Sequence, residues 1–275
     1  MITRCRPLLG TFVEITVPVG QEAAADRSFA AVEHVHRAMS FHEGGSDLAR
    51  LRAATPGEAI EVDAETVRVL RLALDLFRAT DGLFDVTTGR QLVRAGFLPR
   101  AGIARLAAFP GTSADIEVVD DHHIRLARRV LIDLGGIAKG HAVDRAIEAL
   151  TDAGVAEGLV NAGGDLRVFG DRDWPVALRD ADDVVRHAVQ ARNCAMASSA
   201  NLMNRRRFRG QEQSPHIGRG GRPVLTTGRV SVVAPRCILA DAMTKVAMAD
   251  PELAGQVMAT YGGYLLASPS NGNCH

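Results

Sequence analysis

The sequence has few aromatic residues, few cysteines and no excess of charge of either sign. Phe, Trp and Tyr make up 4% of the 275 residues, which argues against an aromatic stacking platform for single-stranded nucleic acid. The 32 basic and 32 acidic residues give a formal net charge of zero. A general nucleic-acid binder, which depends on many unpaired basic side chains, is therefore disfavoured. A local cluster of Arg205, Arg206, Arg207 and Arg209 indicates either a solvated face or a contact with a phosphate or an acidic partner.

The cysteine spacing excludes the common metal and redox motifs. Cys5, Cys194, Cys237 and Cys274 contain no C-x-x-C pair, so we predict free thiols, which fit a reducing compartment. No apolar run approaches the ~18 residues of a transmembrane helix, and residues 1–10 contain no apolar run of signal-peptide length. We expect a cytoplasmic protein without a membrane span.

Hydrophobic periodicity predicts a mixture of strands and helices. Apolar residues alternate with polar ones at Val13, Ile15 and Val17, which is typical of a strand with one buried face. A helix is predicted over 23–39, and a second one follows Asp63 and ends before Gly82. The inner stripe of this second helix is predicted to consist of Val67, Leu70, Leu74 and Phe77. Further helices are predicted over 139–153, 239–248 and 253–261. Further strands are predicted over 116–119, 124–127, 131–133, 159–169, 176–179, 184–191, 230–234 and 264–267.

The order of these elements lacks regular βαβ alternation. We therefore predict an α+β fold, a single domain over residues 1–275 built on a mainly antiparallel sheet with flanking helices. Residues 201–227 are rich in glycine and arginine and are predicted to form a long loop. Loops of this length in compact domains are often functional.

The segment Asp133–Gly140 contains three glycines and Lys139 between a predicted strand and a predicted helix. Glycines at such a junction let backbone N–H groups approach a phosphate, and the helix N-terminus favours an anion. The segment matches neither the Walker A sequence nor G-x-G-x-x-G. A tight turn with a solvent-exposed lysine explains the same residues equally well.

Two other glycine-rich segments have simpler interpretations. Asn161–Asp165 interrupts a long apolar strand, which marks a bulge or a close approach of another backbone. In Glu43–Asp47, Ser46 is placed to cap the helix that follows, and this structural role is sufficient to explain the segment.

Two polar sites in the C-terminal half of the chain each have a functional and a purely structural interpretation. Asp241 and Thr244 are three residues apart on a predicted helix and offer oxygen ligands to Mg²⁺, although an Asp241–Lys245 ion pair is the simpler interpretation. His216 lies in the predicted long loop, where a lone histidine is more often solvated than catalytic.

The order of these motifs resembles the ApbE family, the FAD:protein FMN transferases. The resemblance covers nearly the whole chain and begins at Leu9-Gly-Thr-Phe-Val-Glu-Ile15 and Met39–Leu51. It continues through Gly82-Leu-Phe-Asp-Val-Thr87, Asp133–Gly140, Asn161–Asp165 and Ala240-Asp-Ala-Met-Thr-Lys245. Each match alone is weak, whereas six in order are specific. The resemblance implies an ApbE-like fold related to the T-fold, and an enzyme that attaches FMN from FAD to a Thr or Ser hydroxyl of a target flavoprotein and releases AMP.

The resemblance also implies roles for individual residues. The residues implied to contact FAD are Leu9, His42, Leu83, Phe84, Asp85, Asp133, Lys139, Gly163 and Gly164. Magnesium is implied to be held by Gly136, Asp241 and Thr244, and His216 is implied to be the general base.

The chain departs from the family pattern at two of these places. The Asp-Pro pair that usually follows the histidine segment is replaced by glycine and arginine after Ile217. The Thr that many members carry four residues after the metal-site Asp is Lys245 here, and an ammonium there would weaken magnesium binding or partly replace it.

Two alternative functions use the same site. Water in place of the acceptor hydroxyl would make the protein an FAD pyrophosphatase that yields FMN and AMP, and loss of the histidine's role would leave a non-catalytic FAD-binding protein. For a transferase, we expect the partner to be an acceptor protein with an FMN-binding domain that carries a Ser/Thr-Gly-Ala-Ser/Thr-like segment. No nucleic-acid partner is expected.

Overall fold

A computed structural model describes residues 1–180, 184–201 and 204–266 of the chain. Its helices are α1 (Glu22–Met39), α2 (Asp47–Ala53), α3 (Ala64–Ala79), α4 (Gly89–Arg94), α5 (Ala138–Asp152), α6 (Cys237–Ala249) and α7 (Pro251–Thr260). The first strands are β1 (Ile2–Leu8), β2 (Thr11–Val17), β3 (Ala59–Glu61), β4 (Ile116–Val118), β5 (His123–Leu126), β6 (Gly158–Ala162) and β7 (Asp165–Phe169). The remaining strands are β8 (Trp174–Arg179), β9 (Val185–Ala191), β10 (Ala195–Ser199), β11 (Arg206–Phe208), β12 (Gln211–Gln213), β13 (Val230–Ala234) and β14 (Tyr264–Leu266).

A seven-stranded sheet forms the centre of the molecule, in the order β1-β2-β6-β7-β10-β13-β14. Its neighbouring strands are all antiparallel. Smaller antiparallel units are the β3-β5-β4 sheet and the β8-β9 and β11-β12 hairpins. The predicted α+β class with a mainly antiparallel sheet is confirmed.

The alternation of side chains along the strands gives the central sheet two buried faces. Along β10, Ala195 and Ala197 face the main core, which α1, α5 and α6 cover, whereas Met196 points to the opposite side. There Met196 packs in a second cluster with Trp174 and Val176 of β8. Small side chains on the helix face of β10 fit close packing of α6, which is itself buried along most of its length.

Most predicted elements are confirmed within one or two residues. Asp63 caps α3 by accepting a hydrogen bond from Glu65 N at 2.8 Å, and Ser46 caps α2 by accepting one from Ala49 N at 3.1 Å. The predicted inner stripe of α3 is buried at Val67, Leu70 and Leu74. Phe77 is only half-buried, because it lies at the C-terminal end of α3 against the turn at Gly82.

Two strand predictions are wrong in instructive ways. The predicted strand over 159–169 is the β6-β7 hairpin, because Gly163 and Gly164 both have positive φ and form its two-residue turn. Residues 131–133 are not part of a sheet. Their backbone bonds to an irregular segment instead, with Asp133 N donating to Val86 O at 2.8 Å and Leu131 O accepting from Gly89 N at 3.1 Å.

Backbone pairing occurs within the segment over 201–227 that was predicted to be a long loop. It contains the β11-β12 hairpin and an isolated bridge between Ile217 and Pro223. Leu202 and Met203 within it lie outside the described residues, as do Ala267 and Cys274.

Cys5, Cys194 and Cys237 are free thiols, as predicted. Among the residues that the structure covers, no helix combines the length and the apolar composition needed to cross a bilayer.

Candidate active site

A cavity of about 470 Å³ opens where the long loop over 204–217 meets the turn after α3 and the glycine-rich start of α5. This volume is within the ordinary range for small-molecule sites. The predicted site residues that line it are Leu83, Phe84, Asp85, Asp133, Gly136 and His216. Six predicted residues from three separate parts of the sequence therefore line one cavity, and this is the molecule's candidate active site.

The turn at Asp85 is fixed by its own side chain. Asp85 Oδ1 accepts hydrogen bonds from Thr87 N at 2.7 Å, from Thr87 Oγ1 at 2.6 Å and from Ser113 Oγ at 2.7 Å. These bonds hold the backbone that presents Leu83 and Phe84 to the cavity. One carboxylate oxygen of Asp85 thus has a structural role, which the sequence did not reveal.

Asp133 begins the glycine-rich turn that enters α5. Its Oδ1 accepts a hydrogen bond from Gly135 N at 3.3 Å. Burial raises the pKa of Asp133, and the Gly135 bond and the charge of His42 oppose this rise. Asp133 is therefore a carboxyl that ionises with more difficulty than usual and faces the cavity.

Two lysines and two aspartates form a buried cluster beside this turn. Lys139, in the first turn of α5, pairs with Asp165 and lies 4.0 Å from Asp241 Oδ1. Burial disfavours the charge of Lys139, but Asp241 and Asp165 outweigh it and raise the pKa of the ammonium. Lys245 Nζ lies 3.1 Å from Asp241 Oδ1. Burial likewise opposes the charge of Asp241, but the two lysines lower its pKa, so Asp241 is ionised.

Gly140 allows α5 and α6 to approach closely at this cluster. Gly140 N donates to Asp241 Oδ2 at 3.1 Å. A Cβ at Gly140 would overlap Cys237 O and lie 2.8 Å from Asp241 Cβ. The glycine is therefore required for the helix crossing, and its buried backbone N–H at the helix start binds the Asp241 side chain.

His216 is held in a small folded loop that faces the cavity. Its N–H donates to Ser214 Oγ at 3.0 Å, and its carbonyl accepts from Val224 N at 2.8 Å. Gly218 N donates to Arg222 O at 2.8 Å and closes the loop. The loop is thus paired at both ends even though the Asp-Pro pair is missing.

The environment of His216 keeps its imidazole neutral. Burial and, secondarily, the charge of Lys245 lower the pKa of His216 to about 4, while a hydrogen bond with the Ala200 backbone opposes this shift. A neutral imidazole is able to accept a proton, which general-base catalysis requires.

An ion pair joins the histidine loop to the opposite wall of the cavity. Arg219 Nη1 donates to Asp81 O at 2.8 Å and to Asp81 Oδ2 at 3.0 Å. Asp81 directly precedes the Gly82-Leu83-Phe84 turn. The two walls are therefore connected by side-chain hydrogen bonds.

The remaining predicted residues do not line the cavity. Leu9 has φ of 57° in the β1-β2 turn, and its N–H donates to His36 Nδ1 at 3.2 Å. The neighbouring β6-β7 turn lies against it, since a Cβ at Gly163 would be 2.5 Å from Thr11 Oγ1. Gly164 N donates to Asn161 Oδ1 at 2.9 Å. These turns lie at the end of the sheet that carries Asp165, next to Lys139.

Three charged residues of the site were not assigned from the sequence as FAD contacts, metal ligands or the general base. Lys245, Arg205 and Arg206 all line the cavity. Arg205 donates to Leu225 O and Thr226 O, and the guanidinium of Arg206 lies 5.0 Å from the Phe97 ring centroid. The cluster of arginines in a glycine-rich loop was the sequence signal, and one of its two interpretations was a phosphate contact.

The residues proposed to hold magnesium do not fit that ion as they stand. The ammonium of Lys245 lies 3.1 Å from Asp241 Oδ1 and 2.9 Å from Thr244 Oγ1, the two side-chain atoms expected as ligands. Magnesium requires near-octahedral oxygen ligands at about 2.0–2.1 Å. An ion bound to these two atoms would be in direct contact with the ammonium, whose positive charge would repel it. Within the described parts of the chain, no group of three or more His, Cys, Asp or Glu residues is arranged to hold a metal.

Comparison with known proteins identifies the family to which the chain belongs. A sequence model of the ApbE family matches residues 9–264. An FAD:protein FMN transferase from Rhodobacter capsulatus is 31% identical over 255 residues, which cover 86% of this chain and 49% of that protein. Another from Vibrio cholerae is 27% identical over 245 residues, which cover 83% of this chain and 73% of that protein. The chain thus spans about half of the first relative and most of the second.

Solved structures agree with the fold. The crystal structure of an ApbE protein from Thermotoga maritima has a TM-score of 0.83 and 26% sequence identity, and the match covers 96% of this chain and 93% of that one. The apo form of a Pseudomonas stutzeri flavinyl transferase, at 21% identity and a TM-score of 0.81, shares the fold.

Proposed function

Because the chain belongs to the ApbE family, we propose that it transfers the FMN half of FAD to a Ser or Thr hydroxyl of an acceptor protein and releases AMP. The observation that best supports this proposal is a neutral, half-buried His216 in the same cavity as the Lys245 ammonium. Phosphoryl transfer depends mainly on the positioning of the reacting groups and on the stabilisation of phosphate charge. The cavity that contains His216 and Lys245 is suited to both.

The proposed reaction replaces the phosphoanhydride bond of FAD at the FMN phosphorus with a phosphoester bond to the acceptor. The acceptor hydroxyl oxygen forms a bond to that phosphorus, and the bond from the phosphorus to the bridging diphosphate oxygen breaks. The bridging oxygen and the electron pair of that bond leave with AMP. His216 takes the proton of the acceptor hydroxyl. The products are a phosphoester-linked flavin on the acceptor and AMP.

The charges of the site change in a direction that assists His216. In the free protein, the ammonium of Lys245 lowers the pKa of His216. A bound diphosphate beside Lys245 would offset that charge and raise the pKa of His216 towards its ordinary value. The base therefore becomes stronger when the substrate is present.

The cavity provides apolar and polar walls of the kind that a dinucleotide requires. Leu83, Phe84 and Phe97 offer apolar surface, whereas Arg205 and Lys245 provide positive charge. We assign the apolar wall to the flavin end and the charged wall to the diphosphate.

The mechanism assigns no step to a magnesium ion held by Gly136, Asp241 and Thr244, because the Lys245 ammonium lies against the two side-chain oxygens. Neutralisation of the diphosphate is assigned to Lys245 and to Lys139 behind it. Both lysines belong to one cluster with Asp241.

The proposed acceptor is an FMN-binding domain with a Ser/Thr-Gly-Ala-Ser/Thr-like segment. The test is AMP release from FAD, with and without such a domain, in wild type and in His216→Ala. We expect AMP release that depends on the acceptor and is lost in the variant. AMP released equally without acceptor would instead establish FAD hydrolysis, and tight FAD binding without AMP under any condition would establish a non-catalytic binding protein.

A further inference from the structure

Only two of the 32 basic residues in this chain are lysines, Lys139 and Lys245, and both lie in the cluster around Asp241. Every other basic position uses arginine. An ammonium is a compact point charge with three rotatable donors, whereas a guanidinium is a planar fork. The two places where the chain uses the compact cation are thus the two that surround one buried carboxylate.

On the side away from the cavity, the Lys245 ammonium is surrounded by oxygen atoms of the protein. The oxygens within 3.5 Å of Nζ are Ser199 Oγ at 2.9 Å, Thr244 Oγ1 at 2.9 Å, Asp241 Oδ1 at 3.1 Å and Asp241 O at 3.5 Å. These are hydrogen-bonding distances to an ammonium and too long for bonds to magnesium. These four oxygens form the kind of environment that a cation requires, and here the cation is the Lys245 ammonium.

The stem of Lys245 also occupies the approach to Gly136. A Cβ added to Gly136 would lie 3.3 Å from Lys245 Cγ and 3.4 Å from Lys245 Cε. Lys245 therefore lies against all three residues that the family resemblance assigned to magnesium: Gly136, Asp241 and Thr244. Its side chain is 23% exposed and lines the cavity, so its charge faces the place assigned to the diphosphate.

The acidic side chains of the cluster are already paired with ammonium groups of the protein. Asp165 and Asp241 face Lys139 and Lys245, and both aspartates are buried. A divalent cation on Asp241 would place two further positive charges beside two ammonium groups in a buried site. The repulsion between the metal ion and the two ammonium groups would disfavour metal binding.

We propose that Lys245 Nζ takes the place of a divalent cation in this chain, so that the diphosphate of FAD is neutralised by ammonium groups and the reaction requires no metal ion. This inference rests on the proposed transferase function. It predicts that the single substitution Lys245→Thr converts the site into one that binds and requires a divalent cation.

The first experiment measures metal binding without any reaction. Mn²⁺ is titrated into the protein without FAD, and free Mn²⁺ is followed by electron paramagnetic resonance. Wild type is expected to leave the free Mn²⁺ signal unchanged, whereas Lys245→Thr is expected to remove one equivalent. Lys245→Met is the matched control, because it removes the ammonium without adding an oxygen ligand. The double variant Lys245→Thr/Asp241→Asn is expected to lose the acquired site.

The second experiment measures AMP release in EDTA and in Mg²⁺. Wild type is expected to release AMP at the same rate in both. Lys245→Met is expected to lose about 100-fold in both, the usual effect of removing one positioned group from a charged transition state. Lys245→Thr is expected to be as slow as Lys245→Met in EDTA and to recover in Mg²⁺. Circular dichroism and FAD affinity of each variant establish that the fold is kept.

The outcomes separate the two proposals. Tight binding of Mn²⁺ to wild type that is lost in Asp241→Asn would overturn the inference, and so would wild-type AMP release that EDTA abolishes and Mg²⁺ restores. If no condition yields AMP, the transferase proposal fails, while the Mn²⁺ titration still decides whether Lys245 occupies the cation position.

Discussion

The carboxylate of Asp144 on α5 accepts a hydrogen bond from Ile238 N in the first turn of α6, with Asp144 Oδ2 2.9 Å from the nitrogen. Asp144 Oδ1 also accepts from Cys237 N at 2.9 Å and from Arg167 Nη1 at 2.8 Å. One buried side chain thus caps the helix that carries Asp241 and Lys245. A carboxylate at this end also interacts favourably with the helix dipole.

Asp144→Ala is expected to destabilise the protein strongly. It would leave two backbone N–H groups at a buried helix start without their acceptor, at a cost of about 3 kcal/mol in the free energy of unfolding. Urea denaturation measures this. Asp144→Asn is the control, because it retains one oxygen acceptor and the shape of the side chain, and its loss is expected to be smaller. Equal stability of wild type and Asp144→Ala would contradict the capping role.

Gly140→Ala is expected to disturb the crossing of α5 and α6. Its Cβ would overlap Cys237 O, and overpacking of a core commonly costs about 1–3 kcal/mol. Gly255→Ala in α7 is the matched control, because no atom lies within 4 Å of its added Cβ. That variant is expected to gain about 0.5–1 kcal/mol, since alanine favours a helix. Thermal unfolding of the two variants should therefore shift in opposite directions.

His216 provides the pH dependence of the reaction. Its pKa is lowered to about 4, so the imidazole of the free protein is neutral above that pH and becomes protonated, and inactive as a base, below it. The acid limb of kcat/KM for AMP release is therefore expected at pH about 4. Lys245→Met removes the charge that contributes to the lowering and should move this limb to higher pH. A limb at pH 6.5 in wild type would contradict the account.

His216→Ala is expected to bind FAD but to lose transfer. Removal of a general base typically costs about 10²- to 10⁴-fold in rate. Quenching of flavin fluorescence measures FAD affinity, and AMP release measures the rate. Loss of FAD affinity together with activity would indicate instead that His216 serves to bind the dinucleotide.

Arg219→Ala is expected to affect the cavity more than the fold. Arg219 connects the histidine loop to Asp81, but both side chains are largely exposed, and such pairs contribute only about 0–1 kcal/mol to stability. We expect an unchanged melting temperature and a raised KM for FAD. Arg192→Ala, which removes another exposed ion pair far from these two loops in sequence, should leave both values unchanged. A large loss of thermal stability in Arg219→Ala would contradict this account.

The sequence predicted best where periodicity and capping determine the element. Helices α3, α5, α6 and α7 and strand β13 occur where the hydrophobic pattern placed them. It failed where glycines decide between alternatives, because Gly163 and Gly164 form a hairpin turn that a strand pattern does not distinguish from a bulge. Strand β10 was missed because its Ala-Met-Ala-Ser-Ser sequence has weak strand propensity, and packing against α6 decides its structure.

The candidate site was only partly predictable for a similar reason. Motif order identified Asp133, Gly136 and His216, which the fold brings to one cavity. The position of the Lys245 ammonium between Asp241, Thr244 and Ser199 depends on how α6 packs against β10, and spacing along the helix alone suggested either a salt bridge or a metal site. Tertiary structure thus decides between two interpretations that the sequence left open.

The most direct test of the central claim is the intact mass of the acceptor domain after incubation with FAD and this protein. An acceptor whose target Ser/Thr is replaced by Ala serves as the control. We predict that the intact acceptor gains one FMN through a phosphoester while the Ala variant keeps its mass, and that AMP appears in equal amount. An unchanged acceptor mass while FAD is bound or converted to FMN and AMP would contradict the claim that this protein is a flavin transferase.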